Sequence, residues 1–312
     1  MKDTNGIKIR ETLLHYFSFI GLLIVTVLFE LLTGGKLLGS RNIMNIFNNF
    51  FTIGLAAMAY TFIMALGELD LSVGAIVGIS AAMAAFAGKL NVKLILPAAV
   101  LTGLLVGLLN GVCIAKLNTA SFIGTLAVSF IMRGITTWTL NGSVGVDVSV
   151  RAFDQNWVKI TVFCVLLVVL YVLYEHCAFG KHCRAVGASM KSAEQSGVRI
   201  VKTRMAAFVL LGTICGLVGF FTLIRAFTAS SSTGNAFEFD VLLAILFGGM
   251  PLSGGWPVRF RSAVIGAVTM AILKSGMSLV GLDGFAQAVV KGVILIAVVA
   301  ISFDRKNAGV IK

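Results

Sequence analysis

Two short stretches of this sequence carry residues whose type and spacing can do more than pack. In the first, Glu68 and Asp70 stand two residues apart beside Gly67, Ser72 and Gly74, between two long apolar runs. Two carboxylates among glycines suit a break between helices. The break either lines a solute path or touches coupling machinery, or else it is a solvated turn at the membrane surface. Charges at membrane depth are costly enough that each must face a cavity or a partner. The second stretch is the polar segment 179–204, whose centre reads Ser189, Met190, Lys191, Ser192, Ala193, Glu194, Gln195, Ser196, Gly197. Ser192-Ala-Glu-Gln195 has the S-x-x-Q form of a capping box, and Gly197 can supply the stop. The spacing predicts a helix of about two turns near 189–198, longer if Ser189 is the cap. It has no apolar face wide enough for lipid, so held along the membrane surface it needs another protein to lie against.

Other chemistries find less support. Lys291 stands mid-segment in an apolar run, where it either forms an ion pair, with Asp283 or an acidic residue on another helix, or serves the solute path. Lys274 and Arg133, also inside apolar runs, are expected to snorkel or pair. His176-Cys177 and His182-Cys183 superficially resemble a metal site, but neither pair matches a zinc spacing, and no metal is expected. Three histidines scattered at 15, 176 and 182 provide no catalytic cluster. Five cysteines do not suggest a disulfide framework. The chain also lacks the G-x-x-x-x-G-K-[ST] phosphate loop, so no nucleotide cofactor is expected in it.

The elements that must position these residues follow from composition. Of 312 residues, 58% are hydrophobic and only 12% charged, and mean hydropathy is +0.99. A soluble domain carries about 25% charged residues, so there are too few here to coat a water-facing surface. The reading is an all-α polytopic membrane protein: one transmembrane domain over 1–312, with about ten helices of about 20 residues each. Apolar runs begin at Thr12, Asn42, Leu71, Leu94, Leu117, Ile160, Met205, Phe239, Ser262 and Phe285; the Phe239–Gly249 run is short enough to be re-entrant. The first is read as a retained span, being long for a signal peptide. With the N-terminus inside, inner regions hold 15 Lys/Arg and outer loops seven, with three more inside spans. That asymmetry places both termini and 179–204 in the cytosol, and no soluble basic patch suggests nucleic acid. Gly103, Gly107 and Gly111 recur every fourth residue, as do Gly74/Gly78 and Gly212/Gly216, which suits close helix packing, within the chain or between subunits. Asp70-Leu-Ser-Val-Gly74 and Pro251-Leu-Ser-Gly-Gly255 echo one another weakly, as two related halves would.

Four stretches resemble the permease subunits of ATP-binding-cassette importers of the ribose/galactose/xylose type. They are Gly67-Glu-Leu-Asp-Leu-Ser-Val-Gly74, Asn110-Gly-Val-Cys-Ile-Ala-Lys-Leu117 running into Phe122-Ile-Gly-Thr-Leu126, Arg184-Ala-Val-Gly-Ala through Gly197-Val, and Leu252-Ser-Gly-Gly255 followed by Gln287-x-Val-Val-Lys-Gly292. The resemblance implies a coupling helix at about Ser189 to Val198, seated in a groove of a cytosolic subunit that binds ATP and Mg and hydrolyses ATP. It also implies an extracytoplasmic solute-binding protein, a second permease copy or homologue, and residence in the bacterial cytoplasmic membrane. The expected role is a sugar-transport subunit, not an enzyme, carrying a monosaccharide. A sugar path needs uncharged hydrogen-bonding side chains, for which Asn45, Asn48, Asn49, Ser129 and Thr125 are candidates by type. The same motifs also suit import of nucleosides or a furanose-like signal molecule. An autonomous secondary transporter would want a carboxylate deep in a span, and the candidate for that, Glu30, lies near a span end.

Overall fold

The computed structural model describes residues 3–302. The chain ends that the charge pattern assigns to the cytosol, 1–2 and 303–312, lie outside the described residues. In hydrocarbon a backbone can satisfy its own polar groups only as a helix or a closed barrel, and the apolar runs form helices accordingly. They are α1 (Asp3–Leu32), α2 (Ser40–Ala65), α3 (Val73–Leu90), α4 (Ile95–Gly111), α5 (Ser121–Leu140), α6 (Asn156–Tyr171), α9 (Ile200–Ala226), α10 (Phe237–Phe247), α11 (Phe260–Leu279) and α12 (Gly284–Ser302). Single π turns, Val112–Lys116 and Val172–His176, extend α4 and α6. Between α6 and α9 lie two short helices, α7 (Ala178–Ala188) and α8 (Met190–Gln195). The connections fall where glycine or asparagine takes positive φ, as at Gly34–Gly35, Gly67, Asn118, Asn141–Gly142 and Gly281.

Among the described residues, seven segments are long and apolar enough to cross a membrane, with shorter apolar stretches at Ser18–Leu32 and Gly284–Val298 in α1 and α12. Helices α2, α3, α9 and α11 are mostly buried and form the interior, whereas α4, α5 and α6 turn most of their apolar surface outward. A lipid-facing ring around a packed centre is the arrangement that a membrane demands, since lipid gives apolar side chains no reason to hide.

The remaining segment, α10, is neither an ordinary span nor a hairpin that returns to the side it left. Its 11 residues cover about 16 Å, half of a hydrocarbon core about 30 Å thick. It is preceded by strand β2 and a loop of turns. Strand β1 (Ser143–Gly145) pairs antiparallel with β2 (Thr228–Ser230), with Val144 opposite Ala229, near the end of α3 where Gly88 neighbours Val146. From β2 the chain descends through 231–236 to lie on Gly74 and Gly78, at the other end of α3. There is no room for side chains there: a Cβ on Gly78 would sit 2.6 Å from the Thr233 carbonyl oxygen. From that depth α10 continues to the turn 248–259, whose Gly254 packs on Gly67.

The glycine rhythm has a clear use. A Cβ on Gly103 would lie 2.6 Å from Gly216 Cα, one on Gly107 2.6 Å from the Phe208 carbonyl oxygen, and one on Gly111 2.9 Å from Met205 Cγ. Gly212 faces Gly107 in return, so α4 and α9 meet backbone to backbone within one chain. Replacing Gly107 by Leu must push these helices apart, and overpacking of this kind costs about 1–3 kcal/mol or more. The expected result is a lower melting temperature and folded yield in detergent for Gly107→Leu, against no change for Gly134→Ala, a site open on all sides.

Candidate functional site

Residues 66–72 leave the helical path between α2 and α3, and the six amides from Gly67 to Ser72 each find an acceptor. Gly67 N donates to Met64 O (3.0 Å) and Glu68 N to Ile63 O (3.2 Å), closing α2 with a left-handed Gly67. Leu69 N donates to Ser121 Oγ (3.3 Å) and Leu71 N to Thr125 Oγ1 (3.1 Å), both on the first turns of α5. Asp70 N donates to the Tyr60 hydroxyl (2.7 Å), which donates back to Asp70 O (3.3 Å). Ser72 N donates to Asp70 Oδ1 (2.7 Å). The break is thus built from side chains of α2 and α5 in place of helical carbonyls.

Its carboxylates are buried: Glu68 is 5% exposed and Asp70 1%. The alternative of a solvated turn is therefore corrected; sequence spacing identified the break but not its depth. Asp70 Oδ1 also accepts from Ser72 Oγ (2.6 Å), and Asn110 Nδ2 donates to Ser72 Oγ (2.7 Å) and, at 3.4 Å, to Asp70 Oδ2. Asn110 projects from α4, so Tyr60, Asp70, Ser72, Asn110 and Thr125 tie four helices together. Glu68 pairs with Arg204 Nε on the second turn of α9, and Arg204 Nη1 reaches Asn118 Oδ1 at 3.4 Å.

Beside this break stands the projecting pair α7–α8. Ser189, not Ser192, is the N-cap of α8, accepting from Ser192 N at 3.3 Å, and Ser192 lies inside the first turn. Gly197 in the left-handed region (φ 83°) ends the helix, with its N–H on Glu194 O (2.9 Å) and Val198 N on Ala193 O (3.0 Å). Met190, Lys191, Ser192, Glu194, Gln195 and Ser196 are exposed, while Ala193 is buried. A shallow cleft beside α8 is lined by Glu194, Gly197, Val198, Arg199 and Lys202.

Helix α7 was not foreseen in the polar segment, and it is the mount of α8. Arg184 donates to Glu175 Oε2 (3.0 Å) and to the Tyr174 carbonyl (3.0 Å), and its guanidinium lies between the Tyr174 and Trp256 rings, 4.7 and 4.8 Å from their centroids. Gly255 N donates to Ala65 O (2.9 Å), so α7, the turn 248–259 and the end of α2 meet at one place. Burial pushes the Cys183 thiol up to about 12, which leaves it a packing residue there.

The second charged cluster holds α10. Asp240 accepts from Lys274 of α11 (2.6 Å) and forms an ion pair with Lys291 of α12 (2.5 Å). Lys291 therefore pairs across helices, and Asp283 instead caps α12, accepting from Ala286 N at 2.8 Å. Two turns of α5 above Thr125, Arg133 binds Glu238 (3.0 Å) and the Gly234 carbonyl (3.2 Å), pinning the loop 231–236. The acids Glu238 and Asp240 were missed as partners. Their signal was present: two carboxylates two residues apart in an apolar run, matched against three in-span cations, call for pairing.

Other sequence candidates do not join these clusters. Asn45 is exposed and Asn49 half-buried, about 22 and 16 Å along α2 from Tyr60. Asn48 accepts from Lys159 at 2.7 Å, beside the Lys159–Asp154 pair. Glu30 takes Leu38 N (3.0 Å) at the far end of α1. Tyr60→Phe removes an acceptor and a donor from a closed network while preserving volume, and should cost about 1–3 kcal/mol. Asp240→Ala strands Lys291 in the interior and should cost about 3–5 kcal/mol, with part regained in Asp240→Ala/Lys291→Leu. Thermal unfolding in detergent measures both.

Comparison with known proteins agrees with this architecture. The family profile described as "branched-chain amino acid transport system / permease component" matches residues 42–299. The ribose import permease of Bacillus subtilis is 30% identical, covering 93% of this chain and 92% of its own. The L-arabinose ABC transporter permease of Azospirillum brasilense is 32% identical over 88% and 84%, and the xylose transport system permease of Haemophilus influenzae 27% over 94% and 96%. No solved structure matches the chain. A match that runs from the first turn of α2 into α12, on a bundle of membrane-length helices, places this chain in that permease family, as a multi-pass membrane protein.

Proposed function

We propose that this chain is the membrane-spanning permease subunit of an ATP-driven importer for a small sugar, with a pentose as the first choice. The observation that carries the reading is α8, a capped, polar, six-residue helix held off the ends of the spans by α7. Among the described residues nothing covers its exposed side chains, and a lipid surface offers them little. A groove in a cytosolic ATPase subunit is the fitting counterpart. That subunit binds and hydrolyses ATP with Mg, since this sequence has no phosphate loop. Names of the relatives favour sugars over nucleosides or furanose-like signals, and no feature favours the autonomous secondary transporter.

The remaining assembly follows from the same reading. The α8 end and both termini face the cytosol, consistent with 15 against seven Lys/Arg. An extracytoplasmic solute-binding protein delivers the sugar at the β1–β2 end, and a second permease copy or homologue completes the pathway in the bacterial cytoplasmic membrane. A neutral, hydroxyl-rich solute is handed over by the binding protein, so the permease needs no tight, charged pocket of its own.

The test is reconstitution of the chain with the ATPase and binding protein encoded beside it, followed by uptake of labelled D-ribose, L-arabinose and D-xylose into vesicles. Uptake of at least one, dependent on ATP, is expected. Uphill uptake by the permease alone on an ion gradient would overturn the proposal. Glu194→Lys, on an exposed face of α8, should abolish ATP-dependent uptake while membrane insertion stays at the wild-type level.

A further inference from the structure

The Glu68–Arg204 pair joins the two parts of the site, and its geometry is incomplete. Arg204 follows α8 by nine residues, and only 196–199 separate α8 from α9. The hydrogen bonds Gly197 N to Glu194 O and Val198 N to Ala193 O close that connection tightly, so a displacement of α8 carries the first turns of α9 with it. Arg204 has a carboxylate partner on the break 66–72, the segment whose amides are held by α2 and α5. An Arg fork normally grips a carboxylate with two parallel hydrogen bonds. Here Nε takes Glu68 Oε1 while Nη1 is diverted to Asn118 Oδ1, at a long 3.4 Å. Glu68 Oε2 is buried and has no hydrogen-bond partner among the described residues. A buried carboxylate oxygen left unpaired is expensive, and such an orphan asks for an explanation.

We propose that Glu68 and Arg204 are positioning residues that transmit the motion of α8 to the helix break. Arg204 exchanges between the one-toothed grip seen here, shared with Asn118, and a two-toothed grip that engages Oε2. The second arrangement needs α9 to shift or rotate by a side-chain width relative to the break. Through Ser121 and Thr125 the break then carries α5, and through Asp70, Ser72 and Asn110 it carries α3 and α4. Glu68 and Arg204 touch neither solute nor nucleotide; they set how faithfully one motion follows the other. This inference rests on the proposed ATP-driven reading.

The experiment uses the complex with its ATPase and binding protein. Glu68→Gln and Arg204→Lys are each expected to lower D-ribose imported per ATP hydrolysed at least tenfold while ATP hydrolysis stays within twofold. Asn118→Ala should lower the same ratio about threefold, and Glu30→Gln, at the distant end of α1, should leave it unchanged. Loss of stability alone would reduce uptake and hydrolysis together, so equal falls, or no fall, overturn the proposal. A second readout is independent of the sugar. In a cysteine-free background, spin labels at Leu90→Cys and Trp138→Cys, both exposed at the far ends of α3 and α5, report a distance that changes with ATP. Glu68→Gln should remove that change. If the labels respond to ATP as strongly in Glu68→Gln as in the parent, or in neither, the joint is refuted. A response lost in Glu68→Gln in a complex that imports no pentose leaves the joint standing and overturns the sugar assignment.

Discussion

Hydrocarbon cannot hydrogen-bond, so each place where a membrane chain leaves the helical path must be repaired by the protein itself. Among the described residues the helical path is left at 66–72 and at 231–236, and side chains from neighbouring helices reach both segments. The first is held by a set of hydroxyls and an amide: Tyr60, Ser121 and Thr125 accept backbone N–H groups in place of helical carbonyls around Asp70, and Asn110 donates to Ser72 Oγ. The second relies on Arg133, which reaches the Gly234 carbonyl and pairs with Glu238. Gly74 is the meeting point, since a Cβ there would collide with both Gly234 and Glu238. One crowded position on the first turn of α3 therefore seats the loop 231–236 just beyond the break.

The same constraint explains the distribution of charge. Buried ion pairs are weak contributors to net stability, because desolvation cancels much of their attraction. Their use here is registry. Asp240 has lysines from two other helices, which fixes the short α10 against α11 and α12 where its 11 residues offer little packing length. Glu68–Arg204 fixes the start of α9 against the end of α2, and Arg184–Glu175 fixes α7 on the π turn that ends α6. Breaking any of them leaves a lone charge, which costs far more than the pair contributes. That asymmetry keeps the paired elements together.

The spans were legible in the sequence because their signal is additive: long uncharged runs, bounded by basic residues and glycine, need no tertiary information. The glycine rhythm of α4 was legible for the same reason, although whether α9 or another subunit would meet it was not. Reading 66–72 as a break was equally local, since carboxylates among glycines do not continue a helix. Its burial was not local. It depends on Tyr60, Asn110 and Thr125 arriving from 10, 40 and 54 positions away, and single-residue types such as Asn45 and Asn49 compete with them on equal terms. Helix α7 escaped notice because Arg184 and Cys183 read as loop polarity, when in fact one is stacked between rings and the other is buried.

The capping of α8 shows how such ambiguity is resolved. Both Ser189 and Ser192 satisfy the local rule for an N-cap, and Gln195 three positions on favours Ser192. In the fold Ser189 takes the role, because α7 ends at Ala188, one residue after Gly187 packs onto the carbonyl of Ala65. Ser189 is thereby forced into extended backbone (φ −165°, ψ 111°), the conformation an N-cap requires. The position of the projecting helix is set from beneath, by the glycine contact that seats α7 on the end of α2. A lever intended to transmit force needs that kind of mount: a stiff, closely packed base beneath a polar, exposed tip.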